Sequence, residues 1–386
     1  LWIEASICGE YNHRMSIVAR VLAGILLGAG SVAAFATNPS VDREIAQIFA
    51  DYSAPGQPGC TVGVYQDGKV AYESAFGAAD LGQGTPLNTH SIFNLASVSK
   101  QFTAFALLLL EQQGKLSLDD PLVRHVPELA GSAAGVTLRQ LLHHTGGLRD
   151  YIGLLEMGGR GEGNGDSATS YEALAALARQ RAPDFAAGTR YEYSNTGYFL
   201  LGIVIERVSG QSMAKFAQEH IFRPLGMHET YYVDRYPVTF PGLARGYARA
   251  GDSFAVDESA WEQTGDGQLH SNIHDLALWD ENFYTARVGG RALLDRMTET
   301  GIVKSGERID YAAGLVVAPM RGLPSVSHGG SWAGYRSQML RFPQQHFSVI
   351  VLCNRDDAEA WRHADSIAEL YLGHLMGTVT KDEGEA

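Results

Sequence analysis

Basic charge is scarce in this chain. Its 30 Lys and Arg face 43 Asp and Glu, a net charge of -13. Nucleic-acid binding needs a basic footprint, so that class of partner is excluded. Cysteine is scarcer still: Cys8, Cys60 and Cys353 make neither a disulfide framework nor a zinc site. Cys60 and Cys353 suit a disulfide or two buried thiols. The apolar run Val21–Leu27 is short and Gly-rich, which argues against a membrane span. The low-hydrophobicity, high-charge signature of disorder is absent as well: 45% of residues are hydrophobic and 19% charged.

What is there begins with an address. From Met15, a short stretch with Arg20 leads into Val21–Leu27 and ends at Ala34-Phe35-Ala36. A basic start, an apolar middle and an A-x-A end describe a secretory leader. Residues 1–36 are therefore set aside as upstream residues and signal peptide. The expected location is exported, periplasmic or extracellular. Membrane contact is expected only through the leader if it is not cleaved, and oligomeric state is left open. Residues 37–386 are expected to form one catalytic domain.

Ser40 caps an expected helix with Val41, Ile45, Ile48 and Phe49 on one face. Residues 60–65 and 69–74 read as a hairpin turning at Gln66-Asp67-Gly68. Phe93 to Leu110 is apolar on nearly every side and reads as a buried helix. Residues 115 to about 295 read as helices and loops: 138–144, a helix opened by the capping box Thr169-x-x-Glu172, 196–208 ending near Gly210, and one capped by Ser271. The glycine-rich stretch 158–165 follows no strand and reads as a mobile loop rather than a phosphate cradle. Strand patterns return at 315–318, 324–328, 338–342 and 347–353. A closing helix carries Trp361, Ala364, Ile367, Ala368, Tyr371 and Leu375, and a polar tail covers 377–386. The order predicts an α+β fold: an antiparallel sheet built from both chain ends (about 41–112 and 300–376), flanked by helices, plus an inserted all-helical lobe (about 115–295). A cleft between the lobes is the natural ligand site.

Ser97-Val98-Ser99-Lys100 puts an alcohol and an amine on one helical face, about 5–6 Å apart at Cβ. Serine needs a base to become a nucleophile, and burial suits a lysine to that role. The helix start adds free N–H groups for an oxyanion. Ser212-Met-Ala-Lys215 fits the same pattern, but on an amphipathic helix whose lysine can reach water. Tyr193-Ser194-Asn195 offers a phenol for proton relay and an amide to hold lysine and substrate; the plainer reading is a core tyrosine and a helix cap. His328-Gly329-Gly330-Ser331 ends an expected strand. Its glycines admit a substrate backbone, and the Ser331 N–H is a second oxyanion donor. His144-Thr145-Gly146 repeats the pattern at a helix end, where histidine has a structural reason to sit. His270 and His274 have a spacing that metals favour, yet no third ligand accompanies them. Tyr151, Tyr231, Tyr232 and Trp332 are candidate cleft aromatics, with Trp332 adjoining the third motif.

Ser97-x-x-Lys100, Tyr193-x-Asn195 and His328-x-Gly330, in this order and spacing, resemble the three motifs of class C β-lactamases and related penicillin-binding proteins. Leu141-Leu-His-His-Thr-Gly-Gly-Leu148 and Pro224-Leu-Gly-Met227 match too, and the resemblance covers about residues 41–376. It implies an acyl-enzyme on Ser97. Lys100 and Tyr193 would share the proton traffic, with the base unassigned. Asn195 would orient substrate, with Gly329, Gly330, Ser331 and Trp332 along the binding strand. No metal or organic cofactor is implied. In that fold the first and last strands are neighbours, so the resemblance also implies that Cys60 and Cys353 can meet.

Many enzymes of this type carry Lys where this chain has His328. That lysine attracts a substrate carboxylate, which an imidazole with a pKa near 6.5 does less well at pH 7. Histidine resembles the esterase and D-aminopeptidase branches. Small carboxylic esters or D-amino-acid amides and peptides are therefore expected ahead of β-lactams or peptidoglycan stem peptides, although Arg336 offers a replacement charge. A non-catalytic acyl-ligand sensor is the competing class.

Overall fold

Cys60, Val62 and Val64 alternate along a strand, and Asp67-Gly68 turns it back with two left-handed residues (φ 51° and 69°). That conformation suits the two-residue turn of a twisted hairpin. The computed structural model describes residues 39–161, 167–236 and 239–377. The leader over 1–36, residues 162–166 of the glycine-rich stretch and the tail from 378 lie outside the described residues.

The hairpin strands β1 (Cys60–Gln66) and β2 (Lys69–Phe76) join four strands from the far end of the chain: β3 (Val316–Met320), β4 (Leu323–Trp332), β5 (Tyr335–Phe342) and β6 (Phe347–Cys353). They form one antiparallel sheet in the order β3-β4-β5-β6-β1-β2. Every residue of β6 is buried, which is why that segment reads as an unbroken apolar run. Val349 and Val351 face a cluster with Ile45 of the first helix, Pro39–Ile48, with Phe49 just after it, and with Ile367 and Leu372 of the last helix, Ala360–Leu372. Ile350 and Leu352 face the larger core on the other side of the sheet. Cys60 and Cys353 lie opposite each other in the β1–β6 register and are joined by a disulfide.

The stretch 93–110 is not one helix. Phe93–Asn94 pairs as a short strand with Leu269–Ser271, Ala96–Ser99 forms a 3₁₀ turn, and only Lys100–Gln112 is α-helical. The break is local. The Asn94 side chain accepts the Ala96 N–H at 2.8 Å, and Ala96 takes a left-handed φ of 49°. The helix itself is buried from Lys100 to Leu110. Each fully buried large apolar side chain, such as Phe102 or Phe105, contributes roughly 1.5–3 kcal/mol. The inserted segment is mostly helical, including Tyr151–Met157, Ser170–Ala178 with its capping box, Asn195–Ser209 and Ile273–Thr285. It also carries short strands, among them the hairpin 247–256. Asn272 rather than Ser271 caps Ile273–Thr285; its side chain takes the Asp275 N–H at 2.9 Å while Ser271 remains in a strand. Strand β4 runs on past His328 to Trp332, so the third motif lies within the strand.

Candidate active site

Ser97 sits within the 3₁₀ turn, and Lys100 follows as the first α-helical residue. Lys100 is 0% exposed. Its Nζ donates to Ser97 Oγ (2.9 Å), Asn195 Oδ1 (2.8 Å) and the Asp266 carbonyl (2.9 Å). An ammonium uses all three protons in this way. A neutral amine would keep two donors and present its lone pair to the serine O–H. The other Ser-x-x-Lys pair is structural: Ser212 caps a helix by accepting the Lys215 N–H, and the Lys215 side chain is 60% exposed beside Glu219.

Asn195 opens the helix Asn195–Ser209, and its N–H donates to Asp150 Oδ2 at 2.9 Å. The Tyr193 ring centroid lies 5.0 Å from Lys100 Nζ, and the residue is 39% exposed. His144 holds this loop from behind. Its Nδ1 accepts the Ser194 N–H at 3.1 Å and its ring packs 4.3 Å from Tyr193. Burial, then the Lys100 charge, push the His144 pKa well below the usual value.

Opposite Ser97 runs β4. A Cβ on Gly330 would lie 2.3 Å from both the Leu95 carbonyl and Ser337 Oγ, so only glycine lets the strand approach the nucleophile turn this closely. Ser331 and Trp332 line an open cleft with Ser97 and Asn195. His328 points elsewhere. It is buried, Nδ1–H donates to the Gly329 carbonyl (2.6 Å), and Nε2 lies 2.9 Å from the Tyr311 phenol. Burial, then the Lys100 charge, lower its pKa to about 4. It is neutral at pH 7 and does not line the cleft. Arg336 donates to the Ala333 and Tyr335 carbonyls of the β4–β5 turn and does not line the cleft either.

Of the expected cleft aromatics, Tyr151 and Trp332 line it. Tyr231 and Tyr232 pair in a strand with Leu269–His270, and the Tyr232 phenol reaches the Ser99 carbonyl behind the nucleophile turn. His270 is buried on that neighbouring strand, whereas His274 stacks on His90 from the following helix. Among the cleft residues that escaped the sequence reading are Trp261, whose ring meets Trp332 edge-on at 5.5 Å, Gln263 and Asp266. Asp266 Oδ2 accepts from the Tyr151 phenol at 2.8 Å, and burial, offset by the Lys100 charge, raises its pKa to about 7. The only signal was an acidic residue between glycines, Gly265-Asp266-Gly267, in a segment with no helix or strand period.

An antiparallel sheet covered by helices on both faces, with a serine–lysine pair at the foot of a buried helix, defines a class of serine hydrolase. The β-lactamase family model matches residues 45–372, and the chain belongs to that family. It is 32% identical over 341 residues to a penicillin-binding protein of Bacillus subtilis, covering 83% of this chain and 74% of that one. It is 28% identical over 335 residues to a D-aminopeptidase of Cereibacter sphaeroides, covering 85% of this chain and 63% of that one. This chain thus spans about three fifths of that D-aminopeptidase. Among solved structures it resembles the octameric penicillin-binding protein homologue from Pyrococcus abyssi, with a TM-score of 0.75, 28% identity, and coverage of 87% of this chain and 77% of that one.

Proposed function

We propose that this protein is an exported hydrolase that works through a Ser97 acyl-enzyme on small carboxylic esters or D-amino-acid amides and peptides. The observation that carries the reading is Lys100, wholly buried yet 2.9 Å from Ser97 Oγ and 2.8 Å from Asn195 Oδ1. Ser97 Oγ attacks the substrate carbonyl as its proton leaves to whichever of the two neighbours acts as base, the Lys100 amine or, with its own proton already given up, the Tyr193 oxygen. The N–H groups of Ser97 and Ser331 take the oxyanion. The proton returns to the leaving alcohol or amine, and water then repeats the sequence to free the acid. Asn195 orients both the lysine and the substrate. Gly329 and Gly330 keep β4 flush with the acyl chain, and Trp332 walls it. Export is supported by the leader pattern and by the disulfide, which persists in oxidising compartments.

A neutral, buried His328 supplies no charge for a substrate carboxylate, and this ranks esters and D-amino-acid amides ahead of β-lactams and D-Ala-D-Ala peptides. A fluorophosphonate probe should label the protein, and Ser97→Ala should abolish labelling. Labelling that survives the substitution overturns the proposal. Labelling without turnover of p-nitrophenyl acetate or D-alanine p-nitroanilide leaves the sensor reading, and rapid turnover of nitrocefin leaves a β-lactamase.

A further inference from the structure

Asp266 meets Lys100 twice. Its backbone carbonyl accepts from Nζ at 2.9 Å, and its carboxyl feels the charge of the same side chain. The carboxyl is also trapped. Asp266 is 6% exposed, the Tyr151 phenol donates to Oδ2 at 2.8 Å, and Oδ1 is buried with no hydrogen-bond partner. A buried carboxyl oxygen normally has a partner, so packing alone does not account for an acid here. The other groups around the pair are of known kind. Asp150 caps Tyr151–Met157, spends its oxygens on the Ile152 and Asn195 N–H groups, and opposes ionisation of Asp266. The Tyr232 phenol feels Asp266 from the strand Tyr231–Tyr232. The amine faces the rings of Tyr193 (5.0 Å) and Tyr198 (5.9 Å). The imidazoles of His144 and His328, which feel its charge, are kept neutral at pH 7 chiefly by burial.

We propose that Asp266 is a positioning residue of the serine–lysine pair: its carbonyl aims the amine at Ser97, and its carboxyl sets the pH at which the acceptor of the serine proton becomes free. This rests on the Ser97 reading of the site. The serine proton moves only to a group that has lost its own, the Lys100 amine or the Tyr193 oxygen. A neighbouring carboxylate favours the protonated form of either one, so it holds a proton there to higher pH. Neutralising the carboxylate releases that proton at lower pH, whichever of the two is the base. Burial, offset by the Lys100 charge, brings the Asp266 carboxyl to a pKa of about 7. Its charge therefore changes close to neutral pH, where it can govern the onset of activity. An amide in its place would still accept from Tyr151 and would carry no charge.

The test is the pH dependence of fluorophosphonate labelling, followed as a second-order rate across the acid and neutral range. In the wild-type protein the rate should rise with pH to a plateau. Asp266→Asn keeps the carbonyl and the acceptor for Tyr151 but removes the charge, so the midpoint of that rise should fall by about one pH unit or more. Tyr151→Phe removes the O–H that favours the ionised carboxyl, so it should move the midpoint the same way by less. This second variant decides the matter if the first does not fold. A merely structural role would lower the rate at every pH and leave the midpoint in place. An unmoved midpoint in the folded variants, or one that rises, overturns the inference while labelling of Ser97 stands. A wild-type protein that is not labelled at any pH overturns the Ser97 reading and this inference with it.

Discussion

The phenol of Tyr311 lies 2.9 Å from Nε2 of His328, and this contact turns the third motif's histidine away from the cleft. Because the Gly329 carbonyl can only accept, Nδ1 carries the ring proton and Nε2 accepts from the phenol. The imidazole is thereby a neutral strut under β4. Tyr311 itself is buried, which raises its pKa well above the usual value and keeps the phenol a donor.

This strut has a pH signature. The folded pKa of His328 is about 4, below its ordinary 6.5, so the unfolded chain takes up the proton first as pH falls. Its contribution to stability is complete above about pH 6.5 and is lost on descent toward pH 4. Relative to His328→Gln, which has nothing to protonate, the wild-type protein should lose about 3 kcal/mol between pH 7 and pH 4. Urea unfolding of both proteins at the two pH values measures the difference, and a constant gap would place the imidazole in contact with water.

Gly330 and Gly329 separate close approach from ordinary flexibility. A methyl group on Gly330 strikes the Leu95 backbone and Ser337 at 2.3 Å, whereas one on Gly329 meets the end of the Gln338 side chain at 2.9 Å and the Ser337 carbonyl at an ordinary 3.7 Å. Gly330→Ala should push β4 off the nucleophile turn and slow fluorophosphonate labelling about 100-fold or more, since a misplacement near 1 Å costs that much. Gly329→Ala should cost under tenfold. Equal effects would mean that the 95–97 turn yields freely.

Periodicity and turn chemistry made much of this arrangement legible. The hairpin, the two-ended sheet and the capping box at Thr169 follow from local patterns, whereas the grouping of Ser97, Lys100, Tyr193 and Asn195 comes from the resemblance carried by three separate motifs. The break at Ala96 was not legible, because a side-chain bond from Asn94 imposes it on a sequence that is apolar throughout. The position of His328 was equally hidden, since its partner Tyr311 lies outside every motif. Asp266 and Gln263 come from an irregular segment whose place beside Lys100 is fixed only by long-range packing, the Asp266 carbonyl accepting from that amine.

The two Ser-x-x-Lys pairs allow a matched comparison. Lys100→Met removes the buried amine that touches Ser97 and Asn195 while keeping its stem. Proton transfer by a positioned group is worth 10²–10⁴-fold, so labelling and ester turnover should fall by that factor. Lys100→Arg should not restore them, because guanidinium does not give up its proton. Lys215→Met, at an exposed surface pair, should change activity by less than twofold.

Arg341 and Asp280 form a buried ion pair that clamps Ile273–Thr285 to β5. Arg341 Nε donates to Asp280 Oδ1 at 2.5 Å, and Ser348 Oγ donates to Oδ2 at 2.7 Å. The two side chains are about 6–7% exposed. Arg341→Met leaves a buried carboxylate without its cation and should destabilise the fold by about 3–5 kcal/mol. Arg341→Met with Asp280→Leu should regain much of that loss. Thermal denaturation of the three proteins checks it, and additive losses would show that the carboxylate reaches water after the first change.

The disulfide joins residues 293 apart, so cutting it frees nearly the whole described chain in the unfolded state. Loop-closure entropy for such long spans gives about 4–6 kcal/mol, which a relaxed denatured ensemble reduces. Cys60→Ala with Cys353→Ala should therefore lower stability by about 3–5 kcal/mol in urea. Because both sulfurs lie in the cluster between the sheet and the two terminal helices, away from Ser97, fluorophosphonate labelling below the unfolding transition should keep its rate. Free-thiol titration with Ellman's reagent under denaturing conditions tests the bond directly. Protein purified from an oxidising compartment should yield no Cys60 or Cys353 thiol, and two titratable thiols from those positions would show that the strands pair without the bond.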